Sequence, residues 1–149
     1  MDRKAMYKLS YGLFVLTARE DEKDNGCIIN TAIQAASEPN QLSICVNKAN
    51  YTHDMIVRTG KFTVSVLSQN AQFELFKHFG FQSGRDTNKF EAFEKCARGT
   101  NGIYYITEGT NAYISATPYC LTVLCFSNLL WLRLNIILII IICYRRNIA

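Results

Sequence analysis

Six short runs rich in β-branched and aromatic residues, each closed off by turn formers, occupy most of the first 118 positions. They are "YGLFVLTA" (11–18), "GCIINTAI" (26–33), "QLSICV" (41–46), "KFTVSVL" (61–67), "GIYYIT" (102–107) and "NAYISA" (111–116). Runs of this length and composition, punctuated by "DNG", "SEPN" and "EGTN", read as strands. Only two short helices fit between them. One starts at about Asn50 or Thr52 and stops at Gly60; the other runs from Asn70 to Phe79, with Phe73, Phe76 and Phe79 recurring on one face. Long helices are not available to cover sheet edges, so the pattern predicts a mainly β domain whose sheet closes, or nearly closes, on itself. A chain of 149 residues holds one such domain and buries a usable core.

The pattern changes at residue 119, which places a domain over 1–118 and an atypical hydrophobic segment over 119–149. Leu121 to Cys143 is apolar except for Thr122, Ser127, Asn128, Arg133 and Asn135. Three readings fit. As a membrane span, its Leu, Ile, Val and Phe residues each favour insertion by roughly 0.3 to 0.6 kcal/mol, against about 2.5 to 3.5 kcal/mol for a central arginine. That orientation puts Arg145 and Arg146 on the far side, against the positive-inside rule. As buried strands, the Ile and Leu residues crowded between Leu132 and Ile142 make a sticky edge if left unpaired. The third reading is a segment that is not this fold's original end, as after a reading-frame change.

Charge and cysteine usage narrow the function classes. Residues 1–118 carry thirteen Lys and Arg against twelve Asp and Glu; Arg133, Arg145 and Arg146 supply the rest of the net +4. A nearly neutral body suits a small anionic ligand better than a nucleic acid, so no nucleic-acid partner is expected. The cysteines at 27, 45, 96, 120, 125 and 143 form no CxxC pair, and His53 and His78 lie in different segments, so no metal site is expected. "MDRKAMYKLSYG" has no apolar h-region, which favours a cytoplasmic chain with reduced cysteines.

Three segments carry candidate chemistry. In "CVNKANYTHD" (45–54), small residues let the backbone approach a ligand, Lys48 supplies a cation, and Asn47, Asn50 and Thr52 are neutral donors. If the next helix starts at Asn50 or Thr52, its free N–H groups make an anion site; the same residues also suit an ordinary solvated loop and N-cap. "FGFQSGRDTNKF" (79–90) offers Ser83, Gly84 and the forked guanidinium of Arg85, which serve equally as surface residues. In "NTAIQAASEPNQ" (30–41), Asn30, Thr31 and Gln34 are polar groups able to bond the edge of a planar heterocycle, or to face water from a half-buried strand. There is no GxSxG, HExxH or GxGxxG motif, so no catalytic group is assigned. Cys27 and Cys45 are expected to pack as small hydrophobes. Tyr11, Phe14, Phe62, Phe73 and Phe76 are expected in the core rather than as a stacking platform.

Taken in order, "YGLFVLTA", "NGCIINTAIQAASEPNQLSICVNKANYTHDMI", "GKFTVSVL" and "FGFQSGRDTNKFEAF" resemble the flavin reductase-like family of FMN-binding split barrels, especially the branch of flavoredoxin and the N-terminal domain of high-molecular-weight rubredoxins. The resemblance covers about residues 1–117. It implies a homodimeric six-stranded barrel with short helices that binds FMN. The isoalloxazine would lie near Asn30, Thr31 and Gln34, and the phosphate around Asn47, Lys48, Asn50 and Thr52, with Ser83, Gly84 and Arg85 closing over it. It further implies transfer of reducing equivalents from NAD(P)H to flavin or to a redox protein partner, with the cofactor supplying the chemistry. The family pattern continues past "NAYISA" with barrel strands and dimer contacts where this chain has its hydrophobic segment, so the barrel is expected to be incomplete. Paired CxxC ligands are absent, so a rubredoxin-type acceptor is expected to be a separate protein. Two other classes share these features: a non-catalytic flavin-binding or electron-shuttle module, and an inactive relic of the domain held at a membrane through residues 121–143.

Overall fold

The computed structural model of this chain describes residues 8–38, 40–116, 121–125 and 136–144, the last two as backbone. As expected, the fold is mainly β. One four-stranded antiparallel sheet has the order β2 (Lys23–Ile29), β1 (Phe14–Glu20), β5 (Phe62–Leu67), β8 (Thr110–Ala116). A second has the order β3 (Ala32–Ser37), β4 (Asn40–Asn47), β10 (Ile136–Tyr144), β9 (Leu121–Cys125). A small ladder joins β6 (Cys96–Arg98) and β7 (Tyr104–Ile106). The helices are α1 (Tyr51–Thr59) and α2 (Phe73–Gly80).

Both large sheets feed one core. Leu16, Ala18, Ile29, Phe62 and Val64 from the first meet Leu42, Ile44 and Val46 from the second, and Met55 and Ile56 of α1 close the same cluster. β1 is buried on both faces: Leu16 and Ala18 belong to that cluster, while Val15 packs with Phe79 of α2 and Ile106. Thr17 on the same strand is fully buried because its hydroxyl donates to the Tyr104 carbonyl, 2.5 Å away. α1 ends where expected. Gly60 takes φ +71° and donates its N–H to the Ile56 carbonyl, the left-handed stop that a glycine without Cβ makes cheaply.

Several expectations are corrected. The run 26–33 is two strands, because the chain leaves the first sheet at Asn30–Thr31 and enters the second. "DNG" (24–26) is no turn but part of the first half of β2; the turn falls at Asp21–Glu22. Tertiary partners override local turn chemistry there. Arg98 grips the Asp24 carboxylate through both oxygens at 2.7 and 2.8 Å, and Arg19 approaches it at 3.7 Å. Strand β6, with its "CAR" sequence, carries no strand signature and was not anticipated. Of the expected core aromatics, Phe62 is fully buried and Phe14 packs on the core, but Tyr11 and Phe73 are more than half exposed.

Within the hydrophobic segment, Leu121–Cys125 and Ile136–Tyr144 run as strands. The isoleucine-rich β10 is not an edge: it lies between β4 and β9, pairing Ile140 with Ile44 on one side and Val123 on the other. Among the described residues, no helix is long and apolar enough to cross a membrane. Residues 126–135, with Arg133, and the pair at 145–146 lie outside the described residues, as does the opening heptapeptide.

Candidate functional site

Two adjoining clefts open beside the first turn of α1 and share Ile28 and Asn50 in their walls. The larger, about 580 Å³, is bounded by β2, the start of α1, and α2 with its following loop. The smaller, about 530 Å³, lies at the corner where β2 bends into β3, against the end of β4.

The larger cleft has the chemistry of an anion site. Asn50 is the N-cap of α1, yet its side chain makes no capping hydrogen bond; His53 N–H donates to the Asn50 carbonyl at 3.0 Å, which leaves the earlier N–H groups of that turn for another acceptor. Thr52, fully buried, accepts from Asn25 Nδ2 at 2.9 Å. Asn25 is 2% exposed, and its Oδ1 has no hydrogen-bond partner among the described residues. That oxygen is an acceptor, so the partner it lacks is a donor group and not an anion. Gly84 is needed at the closing loop because a Cβ there would stand 2.1 Å from that same Asn25 oxygen. Among the described residues no carboxylate lines the cleft, and the charged group that does is Lys89, 3% exposed. The Lys89 ammonium donates to the carbonyls of Gly26 at 2.8 Å and Phe79 at 3.0 Å. Burial pulls its pKa below the ordinary lysine value.

Cys27 lines the same cleft as a neutral thiol, its pKa pushed up by burial; a thiol so placed is not an activated nucleophile. Arg85 stands at the rim. Its guanidinium pairs with Asp54 in the first turn of α1 and lies 5.1 Å from the Tyr51 ring centroid, while Lys23 Nζ lies 4.5 Å from that centroid. The Asp54 carboxyl is held below its usual range, first by its hydrogen bond with His53 and then by Arg85.

The smaller cleft offers a polar edge. Asn30, Thr31 and Asn47 line it with Tyr11, Cys45 and Val46. Backbone bonds fix its shape: Cys45 N–H donates to the Thr31 carbonyl at 3.1 Å, and Asn50 N–H to the Asn47 carbonyl at 2.9 Å.

Among the residues singled out from sequence, Asn50, Thr52, Ser83 and Gly84 therefore meet in the larger cleft, and Asn30, Thr31, Asn47 and again Asn50 in the smaller. Arg85 reaches the α1 start without lining either. Gln34 stands apart on β3, its amide 3.3 Å from Asn40 Oδ1, and Lys48 lines neither cleft. Asn25 and Lys89 were missed. Asn25 was hidden in a sequence that reads as a turn, and Lys89 lies within "TNKF", where a lysine ordinarily marks a solvated surface.

Residues 6–122 match the flavin reductase like domain. The chain is 37% identical over 118 residues to the high molecular weight rubredoxin of Moorella thermoacetica, covering 78% of this chain and 51% of that protein. It is also 37% identical over 116 residues to the ferric-chelate reductase (NAD(P)H) of Archaeoglobus fulgidus, covering 78% and 68% respectively. It thus spans about half the length of the rubredoxin. A crystal structure of the FMN-binding protein from Thermus thermophilus with bound 1-cyclohex-2-enone superposes with a TM-score of 0.74 at 21% identity, over 93% of this chain and 71% of that one. The fold is therefore that of the split barrel, and by the extent of its sequence match this chain belongs to the flavin reductase-like family.

Proposed function

We propose that this chain binds FMN across the two clefts and passes reducing equivalents from NAD(P)H to flavin or to an electron-acceptor protein. The observation that carries the reading is the uncapped start of α1 standing where the two clefts adjoin. A ligand with a phosphate at one end and a flat, hydrogen-bonding ring at the other needs that pairing of environments. The phosphate is held by the first-turn N–H groups of α1, with Asn50, Thr52 and Ser83 as neutral donors and Lys89 as the buried cation. Gly84 lets the loop close, and Arg85 steadies it against α1. Asn30, Thr31 and Asn47, with the backbone of the β2–β3 corner, supply bonding partners for the ring edge.

The flavin, when bound, supplies the hydride and electron chemistry. The chain's part is to place it, to keep the phosphate end out of bulk water, and to leave the ring accessible from the smaller cleft. Names among the relatives support an oxidoreductase: the Archaeoglobus fulgidus protein is a ferric-chelate reductase using NAD(P)H, and a Streptomyces globisporus structural neighbour is an NADH:FAD oxidoreductase. Association as a homodimer and delivery of electrons to a redox protein belong to the same proposal.

Titrating FMN into the purified chain tests it. Saturable quenching of flavin fluorescence is expected, with at least tenfold weaker binding in Lys89→Met. No binding by a sample with a folded circular dichroism spectrum would sink the reading. Bleaching of bound flavin by NADH or NADPH then separates a reductase from a flavin-binding shuttle, which would bind without turnover.

A further inference from the structure

The buried cation of the larger cleft is held at both ends, by its ammonium and by its backbone. The Lys89 ammonium donates to the Gly26 and Phe79 carbonyls, while the Lys89 carbonyl accepts from Nε2 of His78 at 2.6 Å. A carbonyl can only accept, so Nε2 carries a proton whatever the state of the rest of the ring. His78 and Phe79 are neighbours in the last turn of α2, so one helical turn grips this lysine twice.

The imidazole is itself fixed. It stacks on Phe93, with centroids 4.9 Å apart and planes inclined by 22°, and lies 4.8 Å from the Phe79 centroid at 81°. His78 lines a separate cleft of about 230 Å³, together with the Lys95–Glu108 ion pair and Glu74, and does not line the larger one. It therefore touches no ligand at the α1 start and acts there only through Lys89. Residues 88–90 lie in no helix or strand, so side chains must satisfy their backbone. Asn88 Oδ1 accepts the Phe90 N–H at 3.2 Å, and His78 supplies the donor for Lys89. A lysine carries its charge on a flexible four-carbon stem, and fixing its backbone in advance lowers the ordering cost when an anion arrives.

We propose that His78 is a positioning residue for the phosphate end of the flavin site: its Nε2–H bond fixes the backbone of residue 89 and so keeps the Lys89 ammonium in the larger cleft. The inference rests on the flavin reading above.

Riboflavin, which has the ring and ribityl chain of FMN without the phosphate, separates the two ends of the site. FMN and riboflavin are titrated into the wild-type, His78→Phe and His78→Gln chains. Phenylalanine keeps a flat ring against Phe93 and removes the donor; glutamine keeps a donor near the Nε2 position and removes the ring. His78→Phe should lose about fivefold in FMN affinity with riboflavin affinity unchanged, and His78→Gln should hold FMN affinity within about twofold of wild type. In a Lys89→Met background His78→Phe should add no further loss, because the group it positions is gone. The proposal is overturned if His78→Phe weakens FMN and riboflavin equally, which marks a merely structural role, or if it leaves FMN affinity unchanged. It is also overturned if His78→Gln behaves like His78→Phe, or if the loss persists in the Lys89→Met background. Should His78→Phe not fold, His78→Gln decides alone: it must keep the wild-type preference for FMN over riboflavin, and loss of that preference overturns the proposal. Failure of the flavin reading is seen separately, as a wild-type chain that binds no FMN or a Lys89→Met chain that keeps the full preference for FMN over riboflavin.

Discussion

The two clefts adjoin but are built by different means. The larger is walled by β2, the helices and the loop after α2, and its polar groups are held by contacts between separate segments, Asn25 to Thr52 and Lys89 to Gly26 and Phe79, with Arg85 bound to Asp54 at the rim. The smaller takes one wall from β4, whose Cys45, Val46 and Asn47 pair with Ile139, Leu138 and Ile136 of β10. One end of the site thus depends on buried polar chemistry within the first 116 residues; the other depends on a sheet completed by the hydrophobic segment. Damage to each end should therefore look different, which makes the contrast testable.

The largest effect is expected at the β10 side. Ile140→Pro removes a backbone donor from a strand paired on both sides, where proline is not tolerated. The lost ladder bond and the distorted strand are expected to lower the urea midpoint more than any other change here, together with loss of flavin binding. An unchanged midpoint would show that β4 does not rely on β10. Gly84→Ala comes next and should act on the other end. Its Cβ would meet Asn25, which is buried and tied to Thr52 and so cannot swing aside. Overpacking of this kind costs about 1 to 3 kcal/mol, and FMN affinity should fall roughly tenfold with β4 and β10 undisturbed. Retained affinity would mean that the loop closes without the Asn25 contact.

Lys89→Met separates charge from shape at the same end. It strands the Gly26 and Phe79 carbonyls, at about 1 to 3 kcal/mol, and it also changes the alkaline limb of stability. Burial lowers the pKa of Lys89 from its ordinary 10.5. Between the lowered value and 10.5 the unfolded chain therefore binds more protons than the folded one, and stability rises with pH across that window. The rise should be missing in Lys89→Met. If both proteins show the same alkaline profile, Lys89 is not a buried charge.

What was legible in the sequence follows the same division. Strands β1, β4, β5 and β8 and helix α2 were visible because β-branched and phenylalanine-rich runs carry their own periodicity, and α1 because a small polar residue starts it and Gly60 stops it. Asn50, Thr52, Ser83 and Gly84 were visible as small polar groups at a helix start and a loop. Asn25 and Lys89 were not, since each owes its place to partners distant in sequence. The Asn25 partner Thr52 is 27 positions away, and the Lys89 partner Gly26 is 63 away; no local pattern encodes such pairs. The β2–β3 corner was missed for a related reason. Residues 26–33 are uniformly strand-like, and only the tertiary arrangement shows that the chain changes sheets at Asn30–Thr31.

The smallest expected effect concerns Asp54, which neutralises the cation at the rim of the larger cleft. Its carboxylate holds the Arg85 guanidinium and bonds His53, so an incoming phosphate competes with it for Arg85. Asp54→Asn frees Arg85 and removes a negative charge from the α1 start. FMN affinity should then improve about threefold, within the energy of a partly exposed ion pair. Stability should move the other way at low pH. A carboxyl whose folded pKa is lowered from 3.8 contributes stability that is complete above its unfolded value and is lost as pH falls through the folded one. The wild-type chain should lose a fraction of a kcal/mol across that acid window that Asp54→Asn does not lose. Tighter FMN binding with a flattened acid limb would place Arg85 at the phosphate end. Weaker binding in Asp54→Asn would show instead that Asp54 orders the loop, leaving Lys89 as the cation on which that end of the site depends.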